Sequence, residues 1–152
     1  MAWRSITEKD LLTRISKGEL QTIRTRAEAE DMGDIIAQSV TNVCEKVRGF
    51  VAGNSSNEID ATPGTIPSNL IDAAVALLVV DIYSRSGGIL IDINDTRTKA
   101  SDAAERTLRD AASGSFAVSK PEGTPSQEYT QAASAELASR SSPLRREDMK
   151  GL

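Results

Sequence analysis

"TIPSNLIDAAVALLVVDIYSR", residues 65–85, is the most apolar stretch of this chain, and the fold class follows from how it is read. Only eight uncharged residues separate Asp72 from Asp81, whereas a helix that crosses a bilayer takes roughly 20. The stretch reads as a buried helix of a soluble domain. Pro67 suits a first helical turn, where the N–H has no intrahelical partner, and Gly87-Gly88 stop the helix just after Ser86. Asp72 and Asp81 fall half a turn out of phase and cannot pair as carboxylates. Burying Leu70, Ile71, Val75, Leu77, Leu78, Val79, Val80 and Ile82 is worth roughly 12–24 kcal/mol before chain entropy is subtracted. A few helices from one small domain should leave some of that surface uncovered, so we expect a subunit interface to cover part of it, or of the "ILIDI" stretch at Ile89 to Ile93.

Composition agrees with helices. Of the 152 residues 39% are hydrophobic but only 3% aromatic, so the core is built from Ala, Val, Leu and Ile, and an all-α fold is expected. The net charge of −4, from 18 basic and 22 acidic residues, disfavours a protein whose main work is gripping phosphate backbones. Arg4, Glu8, Lys9 and Asp10 interrupt any signal-peptide core, and Cys44 is the only cysteine. Histidine is absent, which removes the commonest general base and metal ligand.

Working outward, "SITEKDLLTRIS" offers Thr7 as a cap for a short helix that ends near Gly18, and "GELQTIRTR" could add one more turn through Leu20 and Ile23. The acidic run Glu28, Glu30, Asp31 and Asp34 then marks the start of a longer helix. Its apolar stripe is Ile36, Val40, Val43, Val47 and Phe50. Residues 53–65 form a long polar loop, with a brief extended piece at residues 58–61. "ILIDI" alternates Ile89, Ile91 and Ile93 and suggests a short extended segment. "TRTKASDAAERTLRDAASG" is a last helix with Ala100, Ala104, Leu108 and Ala111 on one face and Gly114 as its stop. The chain divides into a helical domain, residues 1–118, and an extended C-terminal tail, residues 119–152, whose residues 127–140 could form a marginal helix.

No catalytic or cofactor-binding set can be assembled, so an enzyme is not expected, and no cofactor. "DINDT" at residues 92–96 imitates a calcium loop, but Arg97 stands where glycine is required and Ala103 where the closing Glu belongs; a turn and helix cap is the better account. Cys44, with no histidine to activate it, reads as buried filler. Asp81 and Arg85 form an i, i+4 pair that stabilises a helix or meets a partner. "SSPLRREDMKGL" sets Leu144, Met149 and Leu152 among Arg145, Arg146, Glu147, Asp148 and Lys150, the mix of a terminus that docks by a few apolar anchors with a charged rim; the plain alternative is a solvated end.

Four passages together resemble a known family: "WRSITEKDLLTRISKGELQTI", "VRGFVAG", "IPSNLIDAAVALLVVDIYSR" and "AERTLRDAASGSFAV", spanning residues 3–118. Their order is similar to the small head–tail connector (adaptor, neck) proteins of tailed bacteriophages, including relatives in Mu-like phages. The resemblance implies a helical domain that assembles as a ring of about a dozen copies beneath the portal. The tail residues Leu144, Arg145, Arg146, Glu147, Met149 and Leu152 would dock on the portal, and a stopper or tail-completion protein would sit on the other side. DNA would pass through the lumen without sequence-specific contact. Ile89, Ile91, Ile93, Asp81 and Arg85 would face neighbouring copies, and the protein would reside in the neck of the virion, with no membrane partner. A different reading is a helix-turn-helix regulator over residues 11–23, resting on Arg14, Lys17, Arg24 and Arg26 and opposed by Glu19 and the acidic run.

Overall fold

The computed structural model of the chain describes residues 3–86 and 94–123. The expectations for Gly87-Gly88, Ile89, Ile91, Ile93, residues 127–140 and the docking residues Leu144, Arg145, Arg146, Glu147, Met149 and Leu152 lie outside them. Among the described residues the fold is all-α apart from one two-stranded ladder. Its helices are α1 Glu8–Leu11, α2 Lys17–Ala29, α3 Ile35–Ala52, α4 Ile71–Arg85 and α5 Asp95–Ser113; the strands are β1 Trp3–Arg4 and β2 Ile66–Pro67.

Capping chemistry sets these boundaries. Thr7 and Asp10 form a reciprocal capping box at α1, and Ser16 and Glu19 form a second one at α2. The second box corrects the reading around Gly18: this glycine lies inside α2, which begins at Lys17 and runs 13 residues rather than one extra turn. The acidic run does not open a single helix either. Glu28 belongs to the last turn of α2, Asp31 adopts a left-handed φ of 52° in the turn, and Asp34 alone caps α3, accepting from the Ala37 N–H at 3.0 Å.

Helix α3 presents Ile35, Ser39, Val43, Cys44, Val47 and Val51 to the core. Ile36, Val40 and Phe50 are only half-buried, so the expected stripe is displaced by one residue at both ends of the helix, to the preceding Ile35 and Ser39 at the start and to the following Val51 at the end. No strand forms at residues 58–61. The extended residues are Ile66 and Pro67, which pair antiparallel with Arg4 and Trp3. Pro67 accordingly precedes the first turn rather than occupying it: it flanks a 3₁₀ turn, Ser68–Leu70, that leads into α4.

Helix α4 is the centre of the molecule and packs against α5, α3 and α1. Residues 74–79 are all buried in succession, so the middle of this helix has neighbours on every side, while Asp72 and Ser84 near its ends are exposed. Of the eight large aliphatics, only Val80 is half-buried and the other seven are enclosed. The expectation that part of this helix needs a neighbouring copy narrows accordingly: a single chain encloses seven of the eight aliphatics, and the surface left over is a strip with Ala73 and Val80 half-buried and Ser84 exposed. Helix α5 behaves as read, burying Ala104, Leu108 and Ala111 with Ala100 at the edge, and Asn94 caps it by accepting from the Arg97 N–H at 2.9 Å.

Candidate docking surface

The end of α5 sets the course of everything C-terminal to it. Gly114 ends the helix at φ 84°, and a Cβ there would come within 2.9 Å of the Asn54 amide. The Phe116 N–H then donates back to the Asp110 carbonyl at 3.1 Å. Phe116 and Val118 lay their side chains against the core half-buried. Between and beyond them the backbone is held by side chains from far away in sequence. The Asn69 amide donates to the Ala117 carbonyl at 2.7 Å and accepts from the Ser119 N–H at 3.2 Å, the pattern that one residue of a parallel strand would offer. The Trp3 indole N–H donates to the Ser119 carbonyl at 2.7 Å, and Lys120 lies 3.7 Å from Glu58. Residues 116–120 are thus a strap across the pole formed by β1, the 3₁₀ turn and the loop after α3.

The other end of α4 carries Asp81 and Arg85, joined to each other at 2.9 Å and about one-third exposed. Beside them Tyr83 donates to the Glu19 carboxylate at 3.0 Å, Arg97 reaches the same oxygen at 3.2 Å, and the Arg97 guanidinium lies over the Tyr83 ring at 4.9 Å. This knot joins α2, α4 and α5. The Ser16 N–H, with the Ser16, Arg97 and Tyr83 side chains adding to it, holds the Glu19 carboxyl down at about 2 against an ordinary 4.5, while burial pushes the Tyr83 phenol up.

The cations of the helix-turn-helix reading are largely spoken for. Arg14 is paired with Asp72 at 2.9 Å, Arg24 with Glu8 at 2.7 Å and Arg26 with Glu30 at 2.9 Å, and α1 is a single turn of helix. Cys44 is buried and its thiol is pushed up by that burial, as expected of filler. Among the described residues, no group of three or more His, Cys, Asp and Glu side chains is placed to hold a metal ion, and no helix is long and apolar enough to cross a membrane.

Compared with known protein families, residues 6–137 match the family described as Bacteriophage Mu, Gp36. The chain belongs to that family. No curated protein and no solved structure matches it. Membership makes this a phage protein, of the virion or of the infected host cell. The Gp36 match reaches well past the 3–118 span of the connector resemblance: it takes in the strap, its anchor Asn69, and the chain as far as residue 137. Trp3 and residues 138–152, with Leu144, Arg145, Arg146, Glu147, Met149 and Leu152, fall outside the matched range. Asp81, Arg85, Ile89, Ile91 and Ile93 fall inside it. The strap anchors were not legible as site residues, because their partners lie 48 to 116 positions away and leave no local pattern.

Proposed function

We propose that this Gp36-family chain is a structural protein of the phage particle, a head–tail adaptor and not an enzyme. Copies close into a ring beneath the portal, join the DNA-filled head to the stopper or tail, and leave a channel for the genome. The observation that carries the reading is the anchored strap at residues 116–120, which gives the C-terminal segment a fixed point of departure from a phage-family domain. A segment rooted in this way is suited to reach a larger partner while the helical body keeps its own packing. Because the middle of α4 is enclosed, contacts between copies fall to its half-exposed C-terminal end, with Asp81 and Arg85, and to the stretch that follows it in the sequence, with Ile89, Ile91 and Ile93.

The test is complementation of filled heads made without this protein. A chain cut after Gly123 is expected to fold but to leave heads tailless in electron micrographs, whereas the full chain restores them. Heads that gain tails with the shortened chain would remove the docking role. Light scattering of the full chain with and without the portal protein is expected to show a ring-sized increase in mass only in the mixture.

A further inference from the structure

Residues 53–65 have no regular secondary structure, yet they are tied down on several sides. Arg48 of α3 donates to the carbonyls of Asp60 at 2.6 Å, Thr62 at 3.2 Å and Thr65 at 2.8 Å, and its guanidinium lies 5.4 Å from the centre of the Trp3 ring. The Thr65 hydroxyl donates to the Asp60 carboxylate at 2.7 Å, and the Asn57 amide reaches the Val51 carbonyl at 3.0 Å. Loops of this length without their own secondary structure are uncommon in compact domains and are mostly functional. This one is a fixed surface, and it holds Ile59 out in solvent at 39% exposure. Among the described residues only Leu12 is a comparably exposed large hydrophobic.

The loop and the strap share their anchors. Trp3, covered by Arg48, also holds Ser119, and Glu58, the residue before Ile59, is the one that meets Lys120. Beyond Gly123 the chain continues for 29 residues, since 152 − 123 = 29, enough to reach about 100 Å if extended. Reach alone does not require the root to be fastened beside an exposed isoleucine.

We infer that the loop around Ile59 and the strap root at Lys120 form one composite docking surface for the protein that receives the C-terminal segment. It would fit a partner with a small apolar socket for Ile59, rimmed by polar groups that meet Glu58, Lys120 and the exposed turn at residues 61–64. The inference rests on the reading that the C-terminal segment docks on the portal. A short segment with few apolar anchors binds weakly by itself, and a second contact next to its root adds to it at high effective concentration.

The experiment measures binding of purified portal protein to four full-fold chains: wild type, Ile59→Asp, Asn69→Ala, and the chain cut after Gly123. Ile59→Asp is expected to weaken binding at least tenfold with an unchanged melting temperature, because the side chain it replaces is exposed. Asn69→Ala loosens the strap. If the C-terminal segment were a plain tether, lengthening it by the seven residues 116–122 would dilute its end only about 1.4-fold; a loss of fivefold or more is expected instead. Binding of Ile59→Asp within twofold of wild type would overturn the composite surface. The shortened chain reports separately on tail docking: if it alone loses binding while Ile59→Asp keeps it, the proposed function stands and this inference falls.

Discussion

Glu19 joins three elements at once, and its acidity makes the joint testable. Its folded value of about 2 lies below the ordinary 4.5, so the stability it contributes is present in full above about pH 4.5 and is lost as the pH falls toward 2. With its partial exposure that contribution is on the order of 1–2 kcal/mol. Urea unfolding of Glu19→Gln is expected to show that deficit at pH 7 and less than half of it at pH 3. Asp10, held well below the usual carboxylate range by the bidentate Arg4 pair at 2.7 and 2.8 Å, shifts with the same sign at still lower pH. Ser39 behaves in the opposite way. Its hydroxyl is fully buried with no hydrogen-bond partner among the described residues, so Ser39→Ala removes an unsatisfied group and is expected to raise stability by about 0.5–1 kcal/mol, read as a higher urea midpoint. Both residues also mark how sequence reading works at this scale. The S-x-x-E spacing of Ser16 and Glu19 was a signal available in the sequence, because a capping box is a local chemical pattern. Ser39 was not legible as core, since a serine reads as polar, and its presence moved the inferred stripe of α3 onto Ile36 and Val40.

At the scale of elements, α4 and α5 were legible because each is bracketed by residues whose backbone chemistry permits little else: Pro67 before one, Asn94 and Gly114 around the other. The β1–β2 pairing was not, because four residues more than 60 positions apart carry no periodicity of their own. The consequence of α4 being enclosed can be measured within a single helix. Leu78 is fully buried, so Leu78→Ala is expected to cost about 2–5 kcal/mol with an unchanged denaturant slope. Val80, the half-buried member of the set, is expected to cost under about 1 kcal/mol when cut to Ala. If the two variants lost equal stability, the face around Val80 would be covered as tightly as the core. At the end of α5, Gly114→Ala must accommodate both a left-handed backbone and the Asn54 amide at 2.9 Å, and about 1–2 kcal/mol of destabilisation is expected.

For the whole molecule, the fold class and the helical body followed from composition and patterning, whereas the candidate surface depends on contacts that cross the chain from Trp3 to Ser119 and from Asn69 to Ala117. Those contacts make one prediction about where the folded body ends. Cutting after Gly123 keeps the strap; cutting after Gly114 removes it. The shorter chain loses the Trp3–Ser119 and both Asn69 hydrogen bonds, the Phe116 return bond to Asp110, and the half-buried faces of Phe116 and Val118. At about 0.5–1 kcal/mol per partly exposed bond and about 1 kcal/mol per half-buried side chain, the loss is roughly 4–6 kcal/mol. That corresponds to a fall in melting temperature of more than about 10 °C for a body of this size. Trp3 is the only tryptophan and is nearly buried under Arg48 and the strap, so its emission is a direct reporter. The chain ending at Gly123 is expected to melt within about 3 °C of full length with unchanged emission, and the chain ending at Gly114 to melt lower with red-shifted emission. Equal melting and emission in the two shortened chains would mean that residues 116–120 do not hold the body together, and the C-terminal segment would then have no fixed root.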